Sequence, residues 1–84
     1  MYRIAYQQGW DEHLHSFDLA IQTQIAKKIA KLVHLEKIRH LGHGLPFFVV
    51  EANQYRICFE EKERMRTIVF VGNHKQYEKW YSEK

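Results

Sequence analysis

The chain has 84 residues and a formal net charge of +3, with 13 lysine and arginine residues against 10 aspartate and glutamate residues. A chain of this length builds one hydrophobic core, which excludes a separate cofactor domain and predicts a single domain over residues 1–84. Hydrophobic residues make up 45% of the sequence and aromatic residues 14%, a composition typical of a globular domain and not of a disordered chain.

The sequence offers few signals for location or bound groups. It contains no run of about 18 apolar residues that would span a membrane, and its first ten residues do not resemble a signal peptide. Cys58 is the single cysteine, so neither an internal disulfide nor a paired-cysteine zinc site is available. We therefore expect a cytoplasmic protein with no membrane partner. Its excess of positive charge favours an anionic partner such as nucleic acid or an acidic protein segment.

The first half of the chain predicts one strand and two helices. Alternating apolar residues predict a strand over Met1–Tyr6, and a short helix follows over Trp10–Phe17. Asp18 is placed to cap a longer helix that ends before Gly42. The apolar stripe of that helix consists of Ile21, Ile25, Ile29 and Leu32. We expect the two helices to form an antiparallel hairpin whose apolar face packs on a sheet.

The second half predicts three strands and a closing helix. The predicted elements are a loop over His40–Gly44, a strand over Phe47–Glu51, a turn at Ala52–Gln54, a strand over Tyr55–Phe59, a solvated turn over Glu60–Arg64, a strand over Thr67–Val71 and a helix over His74–Tyr81. Connections this short cannot carry a parallel crossover, so these strands form an antiparallel meander. The prediction is an α+β fold in the order βααβββα, with a four-stranded, mainly antiparallel sheet and a short C-terminal helix.

Motifs of several common enzyme classes are missing. The chain has no glycine-rich phosphate loop, no nucleophile-elbow serine and no HExxH motif. His13 and His15 lie two positions apart, on different sides of a helix, which favours surface histidines over metal ligands. His40 and His43 flank Gly42, where a polar contact within the loop is favoured over a metal site.

The long helix has a basic side that has two interpretations. It consists of Lys27, Lys28 and Lys31, with Lys37 and Arg39 nearby. Such a row of positive charges can follow the phosphates of a nucleic acid. A solvated helix face is the more common explanation and is favoured here.

Several polar residues in the second half have either a structural or a functional role. Arg56 lies on an inner strand and needs solvent, a carboxylate or an anionic ligand, and a cross-strand pair with Glu51 is as well supported as a ligand. His74, Tyr77 and Tyr81 share one face of the closing helix. From the pattern alone, packing of that face on the sheet is favoured over a functional site.

Two segments, Gln54–Phe59 and Ile68–Tyr77, together with the order βααβββα, resemble the RelE/ParE superfamily of toxins from prokaryotic type II toxin–antitoxin systems. The resemblance covers nearly the whole chain and implies a helical hairpin packed on a curved sheet. For the RelE-like branch it implies a metal-independent endoribonuclease, or mRNA interferase, that cuts messenger RNA, usually at the ribosome, and inhibits translation. It implies no cofactor, and it implies a cognate antitoxin as a partner.

The resemblance also implies roles for single residues. Arg56 would bind the scissile phosphate, and His74 would act as general acid or charge stabiliser. Tyr77, ahead of Tyr81, would stack on or orient a base of the substrate. Many RelE-like relatives carry positive charge on the strand that corresponds to Phe47–Glu51, which has none here. Other residues would then supply the charge for RNA binding: Lys37, Arg39, His40, Arg64 and Arg66.

Because the strand over Phe47–Glu51 carries no positive charge, the identity of the general base stays open, and Glu51 is a further candidate for it. Two other interpretations also stay open. One is a ParE-like toxin that inhibits DNA gyrase, and the other is a homologue without catalytic activity.

Overall fold

A computed structural model describes residues 1–40 and 45–84 of the chain. Its elements are strand β1 (Arg3–Tyr6), a 3-10 helix (Leu14–Ser16), helix α1 (Leu19–Lys31), strands β2 (Arg39–His40), β3 (Phe47–Ala52), β4 (Tyr55–Lys62) and β5 (Met65–Asn73), and helix α2 (His74–Ser82). The predicted α+β class is confirmed. Among the described helices, none is long and apolar enough to cross a membrane.

The sheet has five strands in the order β1-β5-β4-β3-β2, one more than predicted. Strands β2 to β5 form an antiparallel meander, and β1 pairs parallel with β5. The additional strand forms because Arg39 and His40 pair with Val49 and Phe48 at the edge of β3, where backbone groups need hydrogen-bond partners. The rest of the predicted loop, including His43, lies outside the described residues.

The predicted hairpin of two helices is not formed, because only the second of them, α1, is an α-helix. Residues 7–17 form successive turns closed by bonds between residues three apart, which pass through Gly9 and end in the 3-10 helix. A segment this short does not sustain an α-helix by itself, and its shape follows the packing of Trp10, Leu14 and Phe17 on the core. Helix α1 starts after Asp18 as predicted, although that side chain makes no cap hydrogen bond, and it ends at Lys31, well before Gly42.

Each face of the sheet carries its own hydrophobic cluster, because side chains alternate along a strand. On one face, the predicted stripe residues Ile25 and Ile29 of α1, and Leu32 just after its end, are buried against Ile57 and Phe59. On the other, which we call the α2 face, helix α2 packs on a cluster formed by Val49, Cys58, Val69, Phe70 and Tyr77. The α2 face also carries Glu51 and Arg56, so it holds the candidate site.

The hairpin between β4 and β5 is tighter than the sequence suggests. The strands continue through the charged segment to a two-residue turn at Glu63 and Arg64, with φ of 51° and 68°. The predicted solvated turn over Glu60–Arg64 is thus shorter, because Glu61 reaches Arg66 with 3.0 Å between Oε1 and Nε and keeps the strands paired.

Candidate active site

Arg56 and Glu51 lie directly opposite each other on β4 and β3, on the α2 face. Nε of Arg56 is 3.2 Å from Oε2 of Glu51, and the two side chains are 22% and 53% exposed. Of the two alternatives that the sequence left open for Arg56, the cross-strand pair with Glu51 is therefore formed. Because solvent reaches both partners, an anionic ligand can compete for the guanidinium, so the pair does not exclude ligand binding.

Tyr77 of α2 lies beneath the Arg56 guanidinium, whose Cζ is 4.8 Å from the centre of the ring. Tyr77 is only 8% exposed. Burial raises the pKa of Tyr77, while the nearby Arg56 guanidinium opposes that rise. A ring buried to this degree has no free face for a nucleotide base, which corrects the expectation that Tyr77 stacks on a base but not the alternative that it orients one. Its position is that of a support for Arg56.

Tyr81 lies one turn further along α2, and its ring stacks on that of Tyr77 with 5.8 Å between the centres. It is half-buried, so part of it reaches solvent. Between the two tyrosines, Tyr81 is the one with surface available to a ligand.

The start of α2 is fixed by a capping box. Oδ1 of Asn73 accepts from the N–H of Gln76 at 2.9 Å, and Oε1 of Gln76 accepts from the N–H of Asn73 at 2.8 Å. Gly72, opposite Arg56, leaves room for the first turn of the helix and for the Phe70 ring, because a Cβ there would lie 3.0 Å from Cβ of Gln76 and 2.5 Å from Cζ of Phe70. This arrangement holds His74, the first residue of α2, beside Arg56.

Arg56 and His74 line one open cavity of about 230 Å³, together with Glu51 and Gln54. Nε2 of His74 is 3.2 Å from a carboxylate oxygen of Glu78, one turn along α2. A carboxylate, a guanidinium and an imidazole thus face the same space, and together they can bind an anion and transfer protons. Neither Gln54 nor Glu78 was among the predicted site residues. The spacing of Glu78 from His74 was a usable signal, whereas nothing in the sequence singled out Gln54.

The remaining basic residues are spread over the molecule. Arg39, on the edge strand β2, pairs with Val49 of β3 and so lies on the α2 face, as the cavity does. His40 packs its ring edge-on against Phe48, with 4.7 Å between the ring centres. Lys37 is exposed in the segment before β2.

Arg64 and Arg66 lie at the other end of β4 from Arg56. Arg64 is exposed at the turn, 3.7 Å from a carboxylate oxygen of Glu36. Arg66 is fully buried and bonded to Glu61 and to the backbone of Leu32. This burial corrects the expectation that Arg66 binds RNA, because its guanidinium is already occupied inside the core. In residues 1–40 and 45–84, no three histidine, cysteine, aspartate or glutamate side chains are grouped to hold a metal ion.

Neither a family model nor a curated protein sequence matches the chain. Solved structures do match it. A mutant of the Escherichia coli toxin RelE in complex with a peptide of the antitoxin RelBc aligns with a TM-score of 0.72 and 12% identity, covering 99% of this chain and 94% of that one. The RelB-RelE complex from Methanococcus jannaschii gives a TM-score of 0.72 and 12% identity, over 92% of this chain and 98% of that one. The chain has the RelE toxin fold.

A third solved complex has a similar fold. The YoeB-YefM complex from Staphylococcus aureus aligns with a TM-score of 0.63 and 12% identity, over 88% of this chain and 98% of that one. The alignment with the Escherichia coli RelE mutant covers 99% of this chain, so the elements that form the cavity, β3, β4 and the start of α2, belong to the part that aligns with the RelE fold.

Proposed function

We propose that the chain is the toxin of a type II toxin–antitoxin system and that it cuts messenger RNA at the ribosome, thereby inhibiting translation. The observation that carries this proposal is the single cavity lined by Arg56, His74 and Glu51, which combines three groups useful for phosphodiester cleavage. The RelE fold supports the same class of activity, since the similar structures are toxins in complex with antitoxins.

The proposed reaction is attack by a ribose 2′-hydroxyl on the adjacent phosphorus, with loss of the 5′-oxygen. The carboxylate of Glu51 accepts the proton of the 2′-hydroxyl, and protonated His74 donates a proton to the leaving 5′-oxygen. Arg56 donates to the non-bridging oxygens and stabilises the charge that builds up on phosphorus. The products are a 2′,3′-cyclic phosphate and a free 5′-hydroxyl, and the exchange of protons with water restores both residues.

Neighbouring side chains prepare these three groups. The ring of Tyr77 supports the Arg56 guanidinium from below, at 4.8 Å. Oε2 of Glu78 lies 3.2 Å from Nε2 of His74 and holds the imidazole at the edge of the cavity. Tyr81 is the ring placed to stack on a substrate base. Lys37, Arg39, His40 and Arg64 remain proposed RNA contacts, with Arg39 on the face that holds the cavity.

Growth and RNA cleavage together test this proposal. We expect induction in a bacterium without the antitoxin to arrest growth and to produce new 5′ ends in messenger RNA. Arg56→Ala and His74→Ala should each lower the cleavage rate by about 10²- to 10³-fold, while Arg3→Gln, at an exposed position with no proposed role in RNA binding, leaves it within about threefold. Normal growth, or a doubly substituted protein as toxic as the parent, contradicts the nuclease. Inhibition of gyrase supercoiling with intact messages would assign the protein to the ParE-like alternative.

The role of Glu51 needs a separate measurement, because this residue also pairs with Arg56. Glu51→Gln keeps the size and a hydrogen-bonding oxygen but removes the base. We expect a fall of about 10²-fold or more in the single-turnover rate and the loss of the acidic limb of its pH profile. A variant that keeps both the rate and that limb would exclude Glu51 as the base and leave only the pairing.

We also propose a cognate antitoxin whose acidic or extended segment covers the cavity. The net charge of +3 suits such a segment, and the similar toxins are bound to antitoxins. Co-expression with the product of an adjacent small gene should restore growth and yield a stable complex. If no neighbouring product binds or restores growth, this part of the proposal is wrong.

A further inference from the structure

A second cavity lies beside the candidate active site and shares the Glu51 side chain with it. It measures about 320 Å³ and opens between helix α1 and the β3–β4 hairpin. Its lining residues are Gln24, Lys27, Lys28, Lys31, Glu51, Ala52 and Asn53. We call it the lysine cavity. Because Glu51 lines both, the two cavities meet at the edge of β3.

Three lysines of the lysine cavity concentrate positive charge on one side of α1. Lys31 follows Lys28 by three positions and Lys27 by four, so the three ammonium groups are neighbours on the helix surface. Like charges at these spacings destabilise a helix by about 0.2–0.5 kcal/mol per pair. Within the described part of the chain, no carboxylate lies within 4.0 Å of any of the three. The charge is therefore available to an external anion.

The lysine cavity is built on ordered elements. The side-chain amide of Asn53 donates to Oε1 of Gln24, which ties the β3–β4 turn to α1. Strand β4 pairs with one side of β3 along its whole length, whereas β2 pairs with the other side only at Phe48 and Val49. On that other side, no described strand pairs with β3 at Glu51 and Ala52. Lys27 and Lys31 stand one helical turn apart, about 6 Å along the axis.

We propose that the lysine cavity binds the sugar–phosphate backbone of the same RNA strand whose scissile phosphate lies at Arg56. This inference rests on the proposed nuclease function and adds the path of the substrate. The lysines act as point charges on phosphates next to the cleavage position, and Gln24 and Asn53 offer polar groups to the sugar. Such contacts hold the strand regardless of its sequence.

An RNA strand fits these walls better than a protein segment does. A bound peptide gains much of its affinity from apolar anchors placed in pockets. The lysine cavity offers only the small side chain of Ala52 for such a contact, and its other lining residues are polar or charged. Repeated positive charge on a polar surface is the arrangement that backbone phosphates bind.

Binding of uncleavable RNA tests the inference separately from catalysis. The probe is a fluorescent single-stranded RNA of twelve nucleotides with a 2′-deoxy sugar at the cleavage position, and its partner probe is a trinucleotide that fills the first cavity alone. The test variant is Lys27→Gln/Lys31→Gln. The matched control is Arg3→Gln/Lys62→Gln, which removes the same charge from a different cavity, on the α2 face near the β4–β5 turn.

We expect the test variant to bind the twelve-nucleotide RNA about tenfold more weakly and to lower the slope of log K against log salt by about 1.4, from two lost phosphate contacts. Its affinity for the trinucleotide, and both affinities of the control, should stay within about twofold of the parent. Equal affinity of test and control variants for the long RNA overturns the inference, as does a loss of antitoxin binding with RNA binding unchanged. If the parent binds the probe but does not cut messenger RNA on ribosomes, the nuclease proposal alone is wrong. If it cuts messenger RNA but binds no probe, this inference alone is wrong.

Discussion

The Arg66 guanidinium donates to the backbone oxygen of Leu32 at 2.7 Å and so ties strand β5 to the end of helix α1. The same side chain is fully buried, lies 3.0 Å from Glu61 and has its Cζ 3.6 Å from the centre of the Tyr2 ring. A buried charge persists only when such partners surround it. Arg66 is therefore a structural residue that joins β1, β4, β5 and α1.

Removal of Arg66 should destabilise the fold strongly. Arg66→Ala leaves the Leu32 carbonyl and the Glu61 carboxylate without their partner, and we expect a loss of about 3–5 kcal/mol in the free energy of unfolding. Urea unfolding followed by tryptophan fluorescence measures it. Arg64→Gln, at the exposed turn two residues earlier, should change the free energy by less than about 0.5 kcal/mol. Similar small effects at both positions would refute the structural role of Arg66.

Substitutions in the β4–β5 turn should stabilise the fold. Glu63 and Arg64 both adopt positive φ, a conformation that asparagine and glycine adopt at lower cost and that two-residue hairpin turns favour. Glu63→Asn/Arg64→Gly should raise the free energy of unfolding by about 1 kcal/mol, because both new residues adopt this turn conformation at lower cost. Thermal unfolding measures the change. A less stable double variant would show that the Arg64 side chain contributes more than the turn conformation costs.

Tyr77 should act through its ring more than through its hydroxyl. Tyr77→Phe keeps the contact with the Arg56 guanidinium and the packing on Cys58 and Phe70, so we expect cleavage within about tenfold of the parent. Tyr77→Ala removes a buried ring and should cost about 3 kcal/mol in the free energy of unfolding. Urea unfolding and single-turnover cleavage separate the two effects. Equal loss of cleavage in both variants, with Tyr77→Phe fully stable, would assign a chemical role to the hydroxyl instead.

Cys58 gives the fold a dependence on alkaline pH. Burial raises the pKa of its thiol from 9.0 to about 12, although the Arg56 guanidinium opposes part of this rise. Between these values the unfolded chain releases the proton and the native chain keeps it, so the free energy of unfolding falls by up to about 1.4 kcal/mol per pH unit. Below pH 9 the thiol has no such effect. Urea unfolding at pH 7, 9 and 10 should show a steeper fall for the parent than for Cys58→Ala, and equal slopes would contradict the burial of the thiol.

Local pattern was a good guide to part of this molecule. The spacing of Ile25, Ile29 and Leu32 predicted which side of α1 is buried, and alternation predicted that Arg56 and Glu51 face each other. Both follow from the repeat of a single helix or of one tight hairpin. The helix predicted over Trp10–Phe17 does not form, because packing of its large side chains outweighs the weak helical tendency of eight residues.

The α+β class and the meander of β3 to β5 follow from the sequence alone, because they depend on hydrophobic repeats of two and about four positions within each segment. The sequence also shows which residue types are available for chemistry. Only the tertiary structure decided that Arg66 is buried while Arg64 is exposed, and that His74 and Arg56 line one cavity. Those outcomes depend on which distant segments meet when the sheet forms. Two arginines with nearly the same neighbours in the sequence therefore end in opposite environments.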